Sequence, residues 1–373
     1  MSKINISVIS CGRSDFSHYL PIISLINSDS RFNLKIVVFG SHLSNFFGST
    51  KNEITNKGFK IYEEIDTMLS SDSNESIASS MGITTLKFAN YWKNNSKDII
   101  LVLGDRYEMF SAVSASVPYK MKIAHIHGGE RTQGAIDDKF RDSISRFSSI
   151  HFTSTESHKN RVIQILGEDY NRNVFNFGAP CIDNFKNLKL LSKREFIKKF
   201  DLPFSDEQDF ILATIHPETI KEDNNNLIMS LTKKFIRSVN SQIIFTLPNN
   251  DSGNYFIRKS LFNLKNENDN VILKESLGSI GYYSAMKYSS YIFGNSSSGI
   301  IEAAQFKKYV INIGERQKGR ESGDNIFNVM NNSELICSMK KINKTMDYNG
   351  SNIFYNGGAS EKIVKKLISL NNE

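Results

Sequence analysis

Phe293-Gly294-Asn295-Ser296-Ser297-Ser298-Gly299-Ile300-Ile301-Glu302 is the stretch that decides the fold. Ser290-Tyr291-Ile292-Phe293 reads as the end of a strand, the Gly/Ser run as a turn, and Gly299 to Gln305 as a helix. Strand, small-residue turn and helix make the repeating unit of an α/β sheet. Glycine and serine let the backbone come close to a ligand, and a helix start offers unpaired N–H groups. Those donors and the helix dipole favour a phosphate. Glu302 falls about one helical turn in, where a carboxylate could take both hydroxyls of a ribose. The stretch therefore reads as a nucleotide-diphosphate cradle. A capped helix after a buried strand is the plainer alternative, because such turns occur throughout α/β proteins.

Working outward, the chain has 373 residues, too long for one compact core of usual size, so two domains are expected. A hydrophobic fraction of 39% and a charged fraction of 23% describe an ordinary globular protein. No apolar run approaches membrane-spanning length, and Met1 to Ser10 runs directly into a strand without a signal-peptide core. Cys11, Cys181 and Cys337 are far apart and in no metal-binding spacing, which fits free thiols in a reducing cytoplasm. The net charge of +7 is scattered among Asn and Ser rather than gathered in a basic stripe, which argues against nucleic acid.

In the first half, Ile4 to Ile9 is a β-branched apolar run ending in Ser10-Cys11-Gly12-Arg13-Ser14-Asp15. A helix follows (Tyr19, Leu20, Ile22, Ile23, Ile26), then the strand Leu34 to Gly40. The loop lacks G-x-G-x-x-G and so is not read as a dinucleotide site. It places Arg13 at the carboxyl end of the first strand, where ligands bind in open α/β sheets. Ser70 to Ser80 reads as a loop or loose helix start, and Met81 to Trp92 as a helix.

Ile99 to Leu103 has the unbroken apolar character of a central parallel strand and ends in Gly104-Asp105-Arg106. Asp105 could cap the following helix or do chemistry. The next strand, Lys122 to His127, runs into Gly128-Gly129-Glu130-Arg131 and then Ile136-Asp137-Asp138-Lys139-Phe140-Arg141. Carboxylates, a histidine and an arginine thus leave the carboxyl ends of neighbouring strands, as an acid/base set would. A salt-bridge network is the alternative. Ile150 to Thr155 and Val174 to Gly178 close this half, with a helix from Ser157 to Leu166 between them.

Ser192-Lys193-Arg194-Glu195 has the spacing of a capping box, and Asn187 to Asp206 reads as the passage between domains. The pattern then restarts. A strand from Phe210 to Ile215 ends in His216-Pro217-Glu218-Thr219, a helix spans Leu227 to Val239, and a strand from Gln242 to Leu247 ends in Pro248-Asn249-Asn250-Asp251. Val271 to Leu273, a helix from Ile280 to Tyr288, the opening cradle and the strand Tyr309 to Ile313 complete it, with Gly314-Glu315-Arg316-Gln317 at its end. His216 lies in the same layer of strand ends as the cradle. Ser360 to Leu370 reads as an amphipathic helix.

These readings give an α/β chain of two Rossmann-like domains facing a cleft, the glycosyltransferase-B architecture. Residues 1–185 form the domain with the acid/base residues and 186–373 the nucleotide-binding domain, with room for the C-terminal helix to pack back on the first. With these motifs in this order, the chain resembles the hydrolysing UDP-N-acetylglucosamine 2-epimerases of the sialic and legionaminic acid pathways, over nearly its whole length. The resemblance rests on Gly12-Arg13-Ser14-Asp15, Gly104-Asp105-Arg106, His125-Ile126-His127-Gly128-Gly129-Glu130, Ile136-Asp137-Asp138 with Arg141, His216-Pro217, Gly294 to Gly299 with Glu302, and Gly314-Glu315-Arg316-Gln317 with Gly319-Arg320-Glu321.

The resemblance implies elimination of UDP across C1 and C2 to a 2-acetamidoglucal. Water then adds with inversion at C2, releasing N-acetylmannosamine and UDP, with no cofactor and no metal. It implies that Arg13, Ser296, Ser297 and Arg316 contact the pyrophosphate, that Glu302 takes the ribose and that His216 assists the leaving group. Asp105 and Asp137 would be acid/base carboxylates, with Arg141 orienting Asp137. Many members carry Glu where this chain has His127, so the proton-abstracting base is left open among Asp105, Glu130, Asp137 and His127.

The sugar is also open, since relatives act on a UDP- or GDP-linked 2,4-diacetamido-2,4,6-trideoxyglucose (diacetylbacillosamine). A non-hydrolysing epimerase, a glycosyltransferase and a non-catalytic nucleotide-sugar sensor are the rival readings. A cytoplasmic homodimer or homotetramer is expected, binding a nucleotide sugar and neither nucleic acid nor membrane.

Overall fold

A computed structural model describes residues 3–44, 49–69, 71, 73–133, 135–221, 223–249, 251–344 and 347–370, apart from the side chains of 186 and 187. The chain divides into two compact units. The first comprises Met1–Glu130, Asp137–Asn187 and Phe354–Glu373, and the second Arg131–Ile136 and Leu188–Ile353.

The first unit alternates strands and helices in the order β1 Ile4–Ser10, α1 Arg13–Ser28, β2 Phe32–Phe39, α2 Lys51–Asn56, β3 Ile61–Ile65, α3 Asn74–Asn95 and β4 Ile99–Leu103. It continues through α4 Tyr107–Ser114, β5 Ile123–Ile126, α5 Asp137–Phe147, β6 Ile150–Thr153, α6 Glu156–Leu166, β7 Val174–Asn176 and the short α7 Asn184–Asn187. The seven strands form one parallel sheet in the order β3-β2-β1-β4-β5-β6-β7. The central strand β4 is apolar throughout, as a strand covered by helices on both faces should be, and every one of its residues is buried. Trp92 is fully buried, packs on Phe88 and Tyr91, and donates its indole N–H to the Ala112 carbonyl at 2.9 Å.

The second unit opens with α8 Lys193–Lys199, followed by β8 Phe210–Thr214, α9 Asn224–Ser238, β9 Gln242–Thr246, α10 Asn254–Glu267, β10 Val271–Lys274 and α11 Gly278–Tyr288. β11 Ile292–Gly294, α12 Ser297–Ile301, β12 Val310–Ile313, β13 Ile326–Val329 and α13 Asn332–Lys344 follow. Its six strands are parallel in the order β10-β9-β8-β11-β12-β13. Phe235 and Phe293 stack with ring centroids 3.8 Å apart in its core. The last helix, α14 Ala359–Ser369, belongs to the first unit, burying Ile363, Val364 and Leu367. Its Ser360 N–H donates to Asp183 Oδ2 at 2.7 Å.

Several local expectations shift. The capping box at Ser192 and Glu195 is present, and α8 is more than a passage: Phe196 joins Leu202, Phe204 and Phe210 in the core of the second unit. Ser70 and Asp72 lie outside the described residues, but from Asn74 the Ser-rich stretch is already helix, capped by Ser73. The helix expected over 299–305 is instead the five-residue α12, with a 3-10 turn over Ala303–Phe306, and Glu302 is the joint between them. β3 and β13 were not legible because each is an edge strand with little buried surface. α10 was obscured by exposed Tyr255, Phe256 and Phe262, which blur its periodicity. The three cysteines are free thiols. Among the described residues no helix is long and apolar enough to cross a membrane.

Candidate active site

Both sheets reverse strand order at one point. Ligands bind at such switch points in open α/β sheets, beyond the carboxyl ends of the strands. In the second unit the switch lies between β8 and β11, and the loops leaving them carry His216 and Asn295. Asn295 is fully buried and grips the His216 backbone twice. Its Oδ1 accepts from the His216 N–H at 2.7 Å and its Nδ2 donates to the His216 carbonyl at 2.9 Å. Gly294 makes this possible: its φ is +132°, and a Cβ there would overlap the Thr214 carbonyl oxygen.

Arg316, beyond β12, reaches the same point. Its Nη1 donates to the Asn295 carbonyl at 3.3 Å, and Gln317 Nε2 donates to that carbonyl at 2.8 Å. Asp251 Oδ2 lies 3.4 Å from Arg316 Nη2 and 3.9 Å from His216 Nδ1, a carboxylate shared between the two basic side chains. Glu218 is wholly buried, and its Oε1 accepts the backbone N–H groups of Glu315 and Arg316. It thereby ties the loop after β8 to the loop after β12. A Cβ on Gly314 (φ +77°) would strike that carboxylate. Ser296 caps α12 and Ser297 begins it, with a Ser296–Ser298–Tyr282 hydroxyl chain at 3.0 and 2.5 Å. Glu302 is buried and accepts the Tyr283 hydroxyl at 3.0 Å.

In the first unit the switch lies between β1 and β4. Arg13 starts α1 just beyond β1, and Asp105 follows β4. Asp105 is not the cap of α4, because Arg106 holds that position. Asp105 instead receives a charge-assisted hydrogen bond from Nη2 of the buried Arg141. The same guanidinium has its Nη1 3.7 Å from Asp138 Oδ1. Asp137 is the first residue of α5, one turn ahead of Arg141 on the same helix.

Beyond β5 the chain turns sharply. His127 has φ +63°, an uncommon conformation for a residue with a side chain. Gly129 (φ +79°) has no room for a Cβ, which would overlap the His158 carbonyl oxygen. This turn folds Glu130 inward: it is buried, its Oε1 is 2.5 Å from His127 Nδ1, and it accepts the Ser154 hydroxyl at 2.9 Å. His125, on β5 itself, has Nε2 at 2.8 Å from the Gly104 carbonyl, so that nitrogen bears the proton, and Nδ1 at 3.1 Å from the Ser145 hydroxyl. Burial pushes its pKa down to about 4.

The sequence-derived candidates follow strands of their own sheets, and the geometry joins some of them: His216 with Arg316 through Asn295 and Asp251, and Asp105 with Arg141. His127 and Glu130 form a third group. Glu218 and Asp251 were passed over as candidates. The available signal was their position, four and five residues beyond the ends of β8 and β9, in the layer that already held His216.

A family model described as UDP-N-acetylglucosamine 2-epimerase matches residues 25–368. The chain is 38% identical over 329 residues to a GDP/UDP-N,N'-diacetylbacillosamine 2-epimerase (hydrolyzing) of Campylobacter jejuni, covering 88% of this chain and 84% of that protein. It is 30% identical over 356 residues to a UDP-N,N'-diacetylbacillosamine 2-epimerase (hydrolyzing) of Legionella pneumophila, covering 95% and 93%. Among solved structures, UDP-GlcNAc 2-epimerase of Methanocaldococcus jannaschii in complex with UDP-GlcNAc and UDP superposes with a TM-score of 0.81 at 22% identity, covering 98% of this chain and 100% of that one. The Neisseria meningitidis enzyme bound to UDP-GlcNAc gives 0.80 at 19%, with the same coverage. The two parallel α/β units are thus the fold of these proteins, and the chain belongs to the UDP-N-acetylglucosamine 2-epimerase family, among relatives named as hydrolysing 2-epimerases.

Proposed function

We propose that the protein is a hydrolysing 2-epimerase acting on a nucleotide-linked 2-acetamido sugar, with UDP- or GDP-2,4-diacetamido-2,4,6-trideoxyglucose as its substrate. The observation that carries the nucleotide-sugar reading is the cluster of His216, Asn295 and Arg316 at the switch point of the second sheet. The sugar is supported by the named activities of the Campylobacter and Legionella relatives. UDP-N-acetylglucosamine is the second reading, favoured by a Neisseria meningitidis relative of that name at 26% identity over 345 residues.

In this reading the diphosphate is met by Arg13, Arg316, the Ser296 and Ser297 hydroxyls and the His216 imidazole, and the ribose by Glu302. The C1–O bond breaks with its electrons passing to the departing diphosphate, while the C2 proton goes to a base and C1=C2 forms. Asp105, Asp137, His127 and Glu130 supply the acid/base set. The C2 proton has no adjacent carbonyl, so positive charge builds at C1 first, and carboxylates near the ring stabilise it. Water then adds hydroxyl to C1 and a proton to the opposite face of C2, releasing the free 2-epimeric sugar. The cytoplasm and a homodimeric or homotetrameric assembly complete the proposal.

The test offers UDP-diacetylbacillosamine, its GDP analogue and UDP-N-acetylglucosamine side by side, with product identification by mass spectrometry. The reading expects free 2-epimerised diacetamido sugar as the main product. Nucleotide-linked product sugar would assign a non-hydrolysing epimerase instead.

A further inference from the structure

α11 carries two adjacent tyrosines, and each reaches a different part of the cradle. The Tyr283 hydroxyl donates to Glu302 Oε1 at 3.0 Å. The Tyr282 hydroxyl lies 2.5 Å from that of Ser298, which is 3.0 Å from that of Ser296. Tyr283 and Glu302 are both buried. The Tyr283 ring stacks on Phe306, with centroids 6.1 Å apart and planes at 23°. Phe306 ends the 3-10 turn that begins directly after Glu302. One tyrosine thus holds Glu302 by its hydroxyl and the turn that follows it by its ring.

α11 is itself fixed in place. Gly281 lies flush against the Phe200 ring at the end of α8, and a Cβ there would overlap that ring. Ser284 is fully buried, and its hydroxyl accepts the Leu191 N–H at 3.0 Å. The tyrosines therefore project from a helix fastened to the segment that opens the second unit.

Packing alone does not call for a hydroxyl at 283. Phenylalanine would fill the same core, and a buried hydroxyl is unfavourable unless it is hydrogen-bonded. Its partner is the carboxylate at the joint between α12 and the turn. A glutamate side chain ordered before the ligand arrives loses less freedom on binding.

We propose that Tyr283 is a positioning residue for nucleotide recognition. Its hydroxyl aims the Glu302 carboxylate at the ribose hydroxyls and so sets the preference for a ribonucleotide. Tyr282 serves the other part of the cradle, holding Ser298 and through it the Ser296 hydroxyl that meets the diphosphate. This inference deepens the reading of Glu302 as the ribose ligand and rests on it.

The test is calorimetric titration of the full chain, with no sugar substrate present. It compares UDP or GDP, whichever the wild type binds, with its 2′,3′-dideoxy analogue. Wild type should bind the ribonucleotide at least about 30-fold more tightly, because hydrogen bonds to a charged group are strong. Glu302→Gln should lose most of that ratio. Tyr283→Phe keeps the ring and its packing. It should cut the ratio at least about fivefold, with affinity for the dideoxy nucleotide within about twofold of wild type. A tyrosine that served the fold alone would weaken both nucleotides alike. Tyr282→Phe should do just that, weakening both by at least about threefold and leaving the ratio unchanged.

A wild-type ratio in Tyr283→Phe, beside a lost ratio in Glu302→Gln, overturns the inference and leaves Glu302 on the ribose. A change of ratio in Tyr282→Phe overturns the division between the two tyrosines. A wild type that does not distinguish the two nucleotides, or a Glu302→Gln variant that still does, removes Glu302 from the ribose and overturns both readings. A wild type that binds neither UDP nor GDP counts against the proposed function and overturns this inference with it.

Discussion

Asn295 holds the His216 backbone by two opposed hydrogen bonds, 2.7 and 2.9 Å long, across the switch point of the second sheet. The clamp places the imidazole and leaves the Asn295 carbonyl for Arg316 and Gln317. Asn295→Ala strands a buried N–H and a buried carbonyl, at a cost of about 2–4 kcal/mol. UDP affinity should fall at least about tenfold, which corresponds to about 1.4 kcal/mol. Urea unfolding and calorimetric titration with UDP check both.

Gly294→Ala should be worse than its size suggests. The new methyl meets the Thr214 carbonyl of the neighbouring strand, and φ of +132° suits only glycine. Relief requires β11 to part from β8. A loss of more than about 3 kcal/mol is expected, read as a lower urea midpoint or as failure to accumulate folded protein.

Arg141 and Asp105 should respond unequally. The Arg141 side chain is 2% exposed and that of Asp105 is 22% exposed. Arg141→Met leaves a part-buried carboxylate without its cation and should cost about 3–5 kcal/mol. Asp105→Asn keeps an acceptor for the guanidinium and should cost less, while abolishing turnover if Asp105 is an acid/base group. Denaturant midpoints and product formation, measured on both variants, separate the two roles.

Acid should destabilise the fold through buried imidazoles. Burial lowers His42 and His151 to about 3 and His125 to about 4, from an ordinary 6.5. Above pH 6.5 neither the folded nor the unfolded chain protonates them, so their contribution is fully present there. Below it the unfolded chain takes up protons that the folded one refuses, so stability is lost as pH falls towards 4. The limiting slope is about 1.4 kcal/mol per pH unit for each histidine. Asp15 works the other way, since burial raises its carboxyl and the folded state keeps that proton longer. His42→Asn should remove about one proton from the slope of unfolding free energy against pH between 6.5 and 4.5.

The central strands and the polar residues at their carboxyl ends were legible in sequence because a buried parallel strand is a continuous apolar run. β4 was read to the residue, Ile99 to Leu103. The edge strands β3 and β13 were not legible, since Glu63, Glu64 and Asn328 face outward and break the run. Polar residues that directly follow a strand were easy to place in the layer of strand ends. What escaped were partnerships between loops distant in sequence. Glu218 with the Arg316 backbone, 98 residues apart, and His18 with His127, 109 apart, leave no periodic trace. Arg141 with Asp105, 36 residues apart, is another such pairing.

The most direct test of the proposed chemistry is turnover of UDP-diacetylbacillosamine in deuterated water, with the released sugar examined by mass spectrometry and NMR. Elimination followed by hydration predicts free sugar, inverted at C2 and carrying one deuterium there, with UDP released in equal amount. Free sugar without deuterium at C2, or with the starting configuration, would mean simple hydrolysis of the glycosyl bond and would contradict the account.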